Sequence, residues 1–519
     1  MIKKKLSQIS QTSFYLFLIG LISTILGFLR EILLAYKFGA SSITDSYLVA
    51  IAPLSLFIYF LKSSEVAFIS QFSRKLILNK KRAWQWASGL INTILIIIFL
   101  AIIFYLFSSP FLAKILAPGF SSTELSLTIL LMRISTPVFL FIVIYSFSKG
   151  IFNSYHRFLW PEISSLLPNL GIILGLVIFS YFWGIKGVII GLLAGYLAQM
   201  LIPLIKLLPN LIKNYSVKNI FKIRESKQFF LYSFFLILIL SGLNIDTIAD
   251  KIFGSFLPTG SISALNYARR IIASLYFLVG YSLSTTLLPL LSKYYIKNKN
   301  FQFKEKFNQA LKIIILILLP VSCLVFILRT PLVAILFQRG LFGQHELKVT
   351  TEILAIYSGA ILALAGITFL SRVFYALDKI KIPALIGFLI MILNIIGDFV
   401  FIKYFSYRGL ALATLLAANL NFFFLLIYLN RLIKIFDFKE WFWFLTKIVM
   451  IVLIMFLSVL TTNYFLGPKF SYNFLNNFLK LLFLGGEGII IFILFSYLFK
   501  LKELNYFKKL IFNLLNYES

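Results

Sequence analysis

The sequence predicts an all-α polytopic membrane protein of about fourteen transmembrane helices, built as two parallel six-helix repeats followed by two C-terminal helices. Three observations carry this. Hydrophobic residues make up 60% of the 519 residues and charged residues only 13%, with a mean hydropathy of +0.95, outside the range of water-soluble domains. Apolar runs of about twenty residues, each enough for a helix across a hydrocarbon core of roughly 30 Å, recur along the chain with no long polar interval. Finally, Phe152/Phe374, Pro161/Pro383 and Gly187/Gly409 all match at one offset of 222 residues.

The first run, near 12–36, follows "MIKKKLSQIS", a basic opening like that of a signal peptide. The run is long and lacks a small-residue cleavage site, so it reads as a retained helix. Runs near 45–71, 83–108, 126–152, 159–181 and 185–206 complete a first bundle, residues 1–206. A basic cytoplasmic linker, 207–227, leads to runs 228–255, 261–292, 308–336, 347–374, 382–404 and 408–430, a second bundle over 228–431. Runs 441–465 and 475–499 are the two additional helices of 432–519, which ends in a basic cytoplasmic tail. Six helices separate the matched pairs, an even number, so the repeats run in the same direction about an axis along the membrane normal. Proteins built this way bind substrate between the repeats and work by alternating access.

Net charge is +31, from 49 basic and 18 acidic residues. In a soluble chain that balance points to nucleic acid, but here the basic residues pile up in alternate connections. The positive-inside rule then places both termini in the cytoplasm and makes membrane lipids, not nucleic acid, the surroundings. One cysteine, Cys323, and two histidines, His156 and His345, allow neither a disulfide framework nor a histidine or cysteine metal site. No P-loop and no catalytic constellation is present, which favours a transporter over an enzyme.

Ionisable residues inside spans are expensive and therefore functional candidates. They are Arg30, Glu31, Asp45, Lys62, Glu65 and Arg133 in the first bundle, and Asp246, Asp250, Lys251, Arg269, Arg270 and Asp398 in the second. Asp45 and Lys251 could equally mark span ends, and Arg30 with Glu31 could be a structural pair. Arg269-Arg270 has apolar sequence on both sides, and a buried excess of cation calls for an anion. Arginine's planar fork suits phosphate oxygens, so a pyrophosphate-bearing lipid fits. In "MILNIIGDFV", Asn394 and Asp398 share a helix face and offer hard oxygen ligands to an alkali cation; Thr414 and Asp250 could complete a sodium site. An interhelical hydrogen-bond pair is the plainer alternative.

The stretches "GFLREILLAYKFGASSITDSYLVA", "LPTGSISALNYARRIIASLYFLVGYSLSTTLLPLLSKYY", "ILFQRGLFG" and "SRVFYALDKIKIP" resemble the MurJ/MviN family, lipid II flippases of the multidrug/oligosaccharidyl-lipid/polysaccharide exporter superfamily. The resemblance covers residues 10–430. It implies a fourteen-helix flippase of the bacterial inner membrane, working as a monomer in peptidoglycan synthesis and moving a polyprenyl-pyrophosphate-linked glycan precursor to the outer leaflet. It places Arg30, Asp45 and Arg270 at positions that matter for transport, the two arginines on the diphosphate, and Asp250, Asn394, Asp398 and Thr414 at a sodium site; no covalent cofactor is implied. Two departures stand out. The family's "SRxxGFxR" reads "STILGFLR", so its first arginine is Thr24, and its paired arginines become Phe57 and Ile58 in "PLSLFIYFLKSSEVAF". Lys62, one turn further on, could restore one charge, though as a point charge and not a bidentate fork.

The sequence reading is thus a lipid II flippase biased by sodium or membrane potential. The alternatives are a flippase for another lipid-linked oligosaccharide, such as an exopolysaccharide or O-antigen unit, and a non-transporting envelope scaffold.

Overall fold

The computed structural model describes residues 2–217, 229, 233, 246–466 and 473–504. Its regular elements there are all helical: α1 (Ile2–Phe38), α2 (Ser42–Ala50), α3 (Ala52–Leu78), α4 (Lys80–Leu116), α5 (Ser122–Ser135), α6 (Pro137–Ser154), α7 (Leu159–Ser164), α8 (Leu167–Leu174), α9 (Ser180–Trp183) and α10 (Ile185–Asn214). They continue with α11 (Asp246–Gly254), α12 (Ser261–Ile296), α13 (Asn300–Phe337), α14 (Gln344–Ser358), α15 (Ile361–Ala376), α16 (Lys381–Phe405), α17 (Tyr407–Ile433), α18 (Phe438–Leu466) and α19 (Phe474–Leu498). A π-helical turn, Gly175–Phe179, joins α8 to α9.

Among the described residues eleven helical stretches are long and apolar enough to cross a membrane, or twelve if α14 and α15, bent by 49°, count as one. They fall on twelve of the fourteen expected runs. Of the other two, 261–292 is helical within α12, and 228–255 lies mostly outside the described residues, with α11 as its described end. The tail beyond residue 504 and the second part of the linker, from 218 on, also lie outside them. The start of the linker is still helix, because α10 runs on to Asn214. Leu207 and Leu211 keep that end against the core, and Asn92 Nδ2 donates to the Ser216 and Val217 carbonyls just beyond it, at 3.0 and 3.1 Å.

The chain divides into two compact units, Met1–Ser263 and Ala264–Ser519, and the duplication is written in their backbones. His156 and Asp378 both have φ 57°, while Gly184 and Ser406 both have φ 55°, each pair at the offset of Gly187/Gly409. The bonds closing the turns recur too: Arg157 N to Phe152 O and Lys379 N to Phe374 O, both 2.9 Å. A Cβ at Gly187 would strike the Phe179 carbonyl and one at Gly409 the Phe401 carbonyl, so each turn packs two helices at a distance only glycine allows. Ser121–Glu124 opens one helix with reciprocal first-turn bonds, and at the equivalent start Glu346 Oε2 accepts from Gly343 N at 2.9 Å, glycine having no side chain to return the bond.

The first unit closes on an aromatic stack of Phe68, Phe72, Trp84, Trp86 and Phe147, with centroids 5.2–5.7 Å apart. In the second, α13 is the central span, with 61% of its apolar window buried, whereas α19 has 11% and faces lipid. The two additional helices are tied to it by charge. Lys312 on α13, itself buried, bonds Glu440 at 2.5 Å and Glu503 at 3.1 Å.

Candidate functional site

Asp45 lies in the first turn of α2 and is 3% exposed. Its carboxylate accepts from Gly260 N (2.6 Å), Ser263 N (2.8 Å) and Ser263 Oγ (2.5 Å). Those N–H groups are at the cap and third position of α12, donors that a helix cannot satisfy internally. Asp45 therefore caps, from another helix, the helix that carries Arg269 and Arg270. Gly260 makes the approach possible: its φ is 88°, and a Cβ there would collide with the Ala40 carbonyl.

Arg30, on α1, is braced from two sides. Its Nη2 donates to Glu31 Oε1 at 2.6 Å and its Nη1 to Asn169 Oδ1, on α8, at 3.2 Å. Its side chain keeps 26% exposure beside a Glu31 side chain at 5%. The structural-pair reading of Arg30 and Glu31 is what the bonds show; a guanidinium has five donors and these bonds use two. The departures from the family pattern are not replaced in kind. Thr24 Oγ1 donates to its own helix, to Gly20 O at 2.9 Å. Phe57 packs edge-on against Phe139 at 5.0 Å, and Ile58 packs against the same core.

Lys62 is exposed on α3, its ammonium 5.0 Å from the Tyr59 ring centre. Glu65, three residues on, belongs to a cluster the sequence reading missed. Lys149 on α6 bridges Glu162 at 3.0 Å and Glu65 at 3.9 Å, and Asn153 Nδ2 reaches Glu65 Oε1 at 3.4 Å. Lys149 is isolated in sequence; only helix pairing brings it to its carboxylates. Asp250, on α11, is buried in this unit.

Arg270, Asn394, Asp398 and Thr414 belong to the second unit. Arg269 Nη2 bonds the Tyr357 hydroxyl at 3.4 Å, and Arg270 follows it, half-buried, on α12. Asn394 and Asp398 are buried at 4% and 0% exposure on α16. Asn394 Oδ1 has no hydrogen-bond partner. Helix α17 crosses tightly at the intervening Gly397, where a Cβ would lie 3.2 Å from the Ala413 Cβ, one residue from Thr414. Thr414 Oγ1 donates its proton to Leu410 O at 3.1 Å, which leaves its lone pairs as acceptors. A buried carbonyl oxygen without a donor, beside a buried carboxylate, is the arrangement a hard cation requires. Another acid missed in the sequence, Glu487 on α19, takes the Ser458 and Thr462 hydroxyls at 2.7 and 2.9 Å.

The family model described as Lipid II flippase MurJ matches residues 34–481. The chain belongs to the MurJ family. The resemblance read from its motifs is thereby borne out, and MurJ membership with these spans makes it a multi-pass membrane protein and a transporter. A relative from Buchnera aphidicola subsp. Baizongia pistaciae, named "Probable lipid II flippase MurJ", is 32% identical over 79% of this chain and 81% of its own. The solved structure described as "Lipid II flippase MurJ, inward closed conformation" matches with TM-score 0.80 and 27% identity, over 93% of this chain and 98% of that one. An inward-facing MATE multidrug transporter matches at TM-score 0.66 and 15% identity, over 79% of this chain and 94% of its own, a likeness of fold alone. Within the MurJ family, then, Arg30 and Asp45 lie in one unit and Arg270 and the Asn394–Asp398 pair in the other.

Proposed function

We propose that this chain is a flippase that carries lipid II, the undecaprenyl-pyrophosphate-linked peptidoglycan precursor, from the inner to the outer leaflet of the bacterial cytoplasmic membrane by alternating access. The observation that carries the proposal is the match to a lipid II flippase over almost its whole length. The chemistry supports it. Arg30 offers a positioned guanidinium with unused donors inside a spanning helix, and charge-assisted, bidentate bonds of this kind suit a diphosphate. Alternation of basic connections supports an orientation with both termini in the cytoplasm.

Native mass spectrometry of the detergent-purified protein, with Arg270→Ala beside it, tests the cargo. A bound lipid II mass that falls about tenfold in the variant is the expected result, equal to about 1.4 kcal/mol. No polyprenyl lipid in either protein would overturn the proposal. A second reading, another lipid-linked glycan, rests on the apolar packing of Phe57 and Ile58 and on Thr24. A different undecaprenyl-pyrophosphate glycan in the same spectrum would favour it.

We further propose that Asn394, Asp398 and Thr414 hold a sodium ion. Sodium there would take the Asn394 carbonyl oxygen, which has no donor, as a hard ligand on the helix that carries the buried Asp398. Asn394→Ala removes an oxygen that has no other partner, so it is expected to abolish sodium stimulation of lipid II flux in proteoliposomes while the sodium-free rate stays within about twofold. Sodium stimulation undiminished in the variant would remove the ion site.

A further inference from the structure

At one end of the second unit, where α13 ends and α19 begins, a cavity of about 470 Å³ is lined by Ala334, Gln338, Arg339, Phe474 and Asn477. None of these five is used by the transport residues, and none is acidic. Asn477 is the informative member. It is 8% exposed, lines the cavity, and its amide makes no side-chain hydrogen bond with a described residue, so its polar atoms are open to a ligand there. The Gln338 amide is likewise uncommitted. Arg339 donates from Nη2 to the Ile335 carbonyl at 2.7 Å, and its guanidinium carbon lies 4.9 Å from the Phe474 ring centre. One donor used and one face stacked leave the rest of the guanidinium for a ligand. Behind it the first turn of α19 adds its positive end, and Asn473, at the cap, gives no side-chain bond to it.

Donors from three side chains therefore line one cavity, no carboxylate is among its lining residues, and the remaining walls, Ala334 and Phe474, are apolar. Both helices are membrane spans that terminate here, so the cavity lies at the depth where the polar part of a lipid meets its chains. We propose that this cavity is a binding site for the phosphate of a membrane lipid, with Arg339, Gln338 and Asn477 on the phosphate oxygens and Phe474 and Ala334 against the first carbons of the chain. In the orientation proposed above it faces the outer leaflet. The site itself does not depend on which glycan the protein carries.

The test uses the full-length protein in detergent, immobilised and titrated with radiolabelled phosphatidylglycerol, undecaprenyl monophosphate or, as the phosphate-free control, diacylglycerol. Wild type is expected to retain phosphate lipid that Arg339→Gln and Asn477→Leu each release, with apparent affinity about tenfold weaker, while Arg339→Lys falls between. Diacylglycerol is expected to bind all of them equally weakly. Arg30→Lys, which keeps the charge beside Glu31, is expected to keep this lipid, which separates the site from the transport residues. Equal retention of phosphate lipid by wild type and both variants, with unchanged unfolding temperatures, would overturn the proposal. Displacement by millimolar inorganic phosphate would overturn its lipid part and leave a free-anion site. If both phosphate lipids compete for one equivalent, the shared phosphate is what is read; if only the polyprenyl lipid binds, the chain contacts decide and the headgroup assignment fails.

Discussion

Replacing Arg30 with alanine is expected to destabilise the protein by about 3–5 kcal/mol, the usual consequence of breaking a buried ion pair by removing one member, and to abolish lipid II transport. The first effect follows from Glu31, 4% exposed, whose carboxylate is bonded by Arg30 at 2.6 Å. Asn169 would also lose the group its Oδ1 accepts from. The second follows if the donors left over on the guanidinium grip the cargo. The two effects separate in a double variant, Arg30→Ala with Glu31→Gln. Neutralising the acid should return the unfolding midpoint to within about 1 kcal/mol of wild type, because a neutral amide is far cheaper to bury than a carboxylate. Flux should not return. Arg30→Lys keeps the charge and loses the fork, so it should hold stability while reducing transport about tenfold or more. Full transport by the double variant would make Arg30 a structural residue and nothing else.

The fold was largely legible because membrane chains state their elements as apolar runs, and because the duplicated turns constrain the backbone. Pro161/Pro383 and Gly187/Gly409 were readable markers since the chain must reverse there. The matching φ of 57° at His156 and Asp378 shows the same turn made from different residues, which no pairwise match of letters reveals. Candidate site residues were legible as exceptions to hydrophobicity, and so Arg30, Asp45, Asp398 and Arg270 stood out. What they do was less so. Whether Asp45 marked a span end or did something else depended on Gly260 and Ser263, more than two hundred residues away. Lys149 passed unnoticed beside a span end, although it bridges two carboxylates, because its partners Glu65 and Glu162 come from other helices. The departures at Thr24, Phe57 and Ile58 were visible, but their outcome was not. Thr24 bonds its own helix and the other two are packed into the core, so the positions have become structural instead of supplying new charge.

Asp45 carries the other large expectation. Three donors, two from the backbone and one from Ser263, depend on a single carboxylate that water barely reaches. Each buried donor left unsatisfied costs about 1–3 kcal/mol, so Asp45→Ala is expected to lower stability by about 3 kcal/mol or more. Asp45→Asn preserves one acceptor oxygen but turns an amide toward N–H groups, and it should cost less. Ser263→Ala removes only the hydroxyl bond and should cost about 1 kcal/mol. That graded order in unfolding midpoints is the signature of a cap. The functional consequence follows from the helix being capped. Arg269 and Arg270 lie about two turns into α12, and a frayed first turn loosens the start of the segment that positions them. Hydrogen exchange should therefore accelerate at Ile262 to Leu265 in Asp45→Ala while α13 is unchanged, and lipid II flux should fall with it. If flux is lost while exchange at that turn stays slow, the cap explains the fold but not the activity, and Asp45 must act on the cargo by some other contact during the cycle.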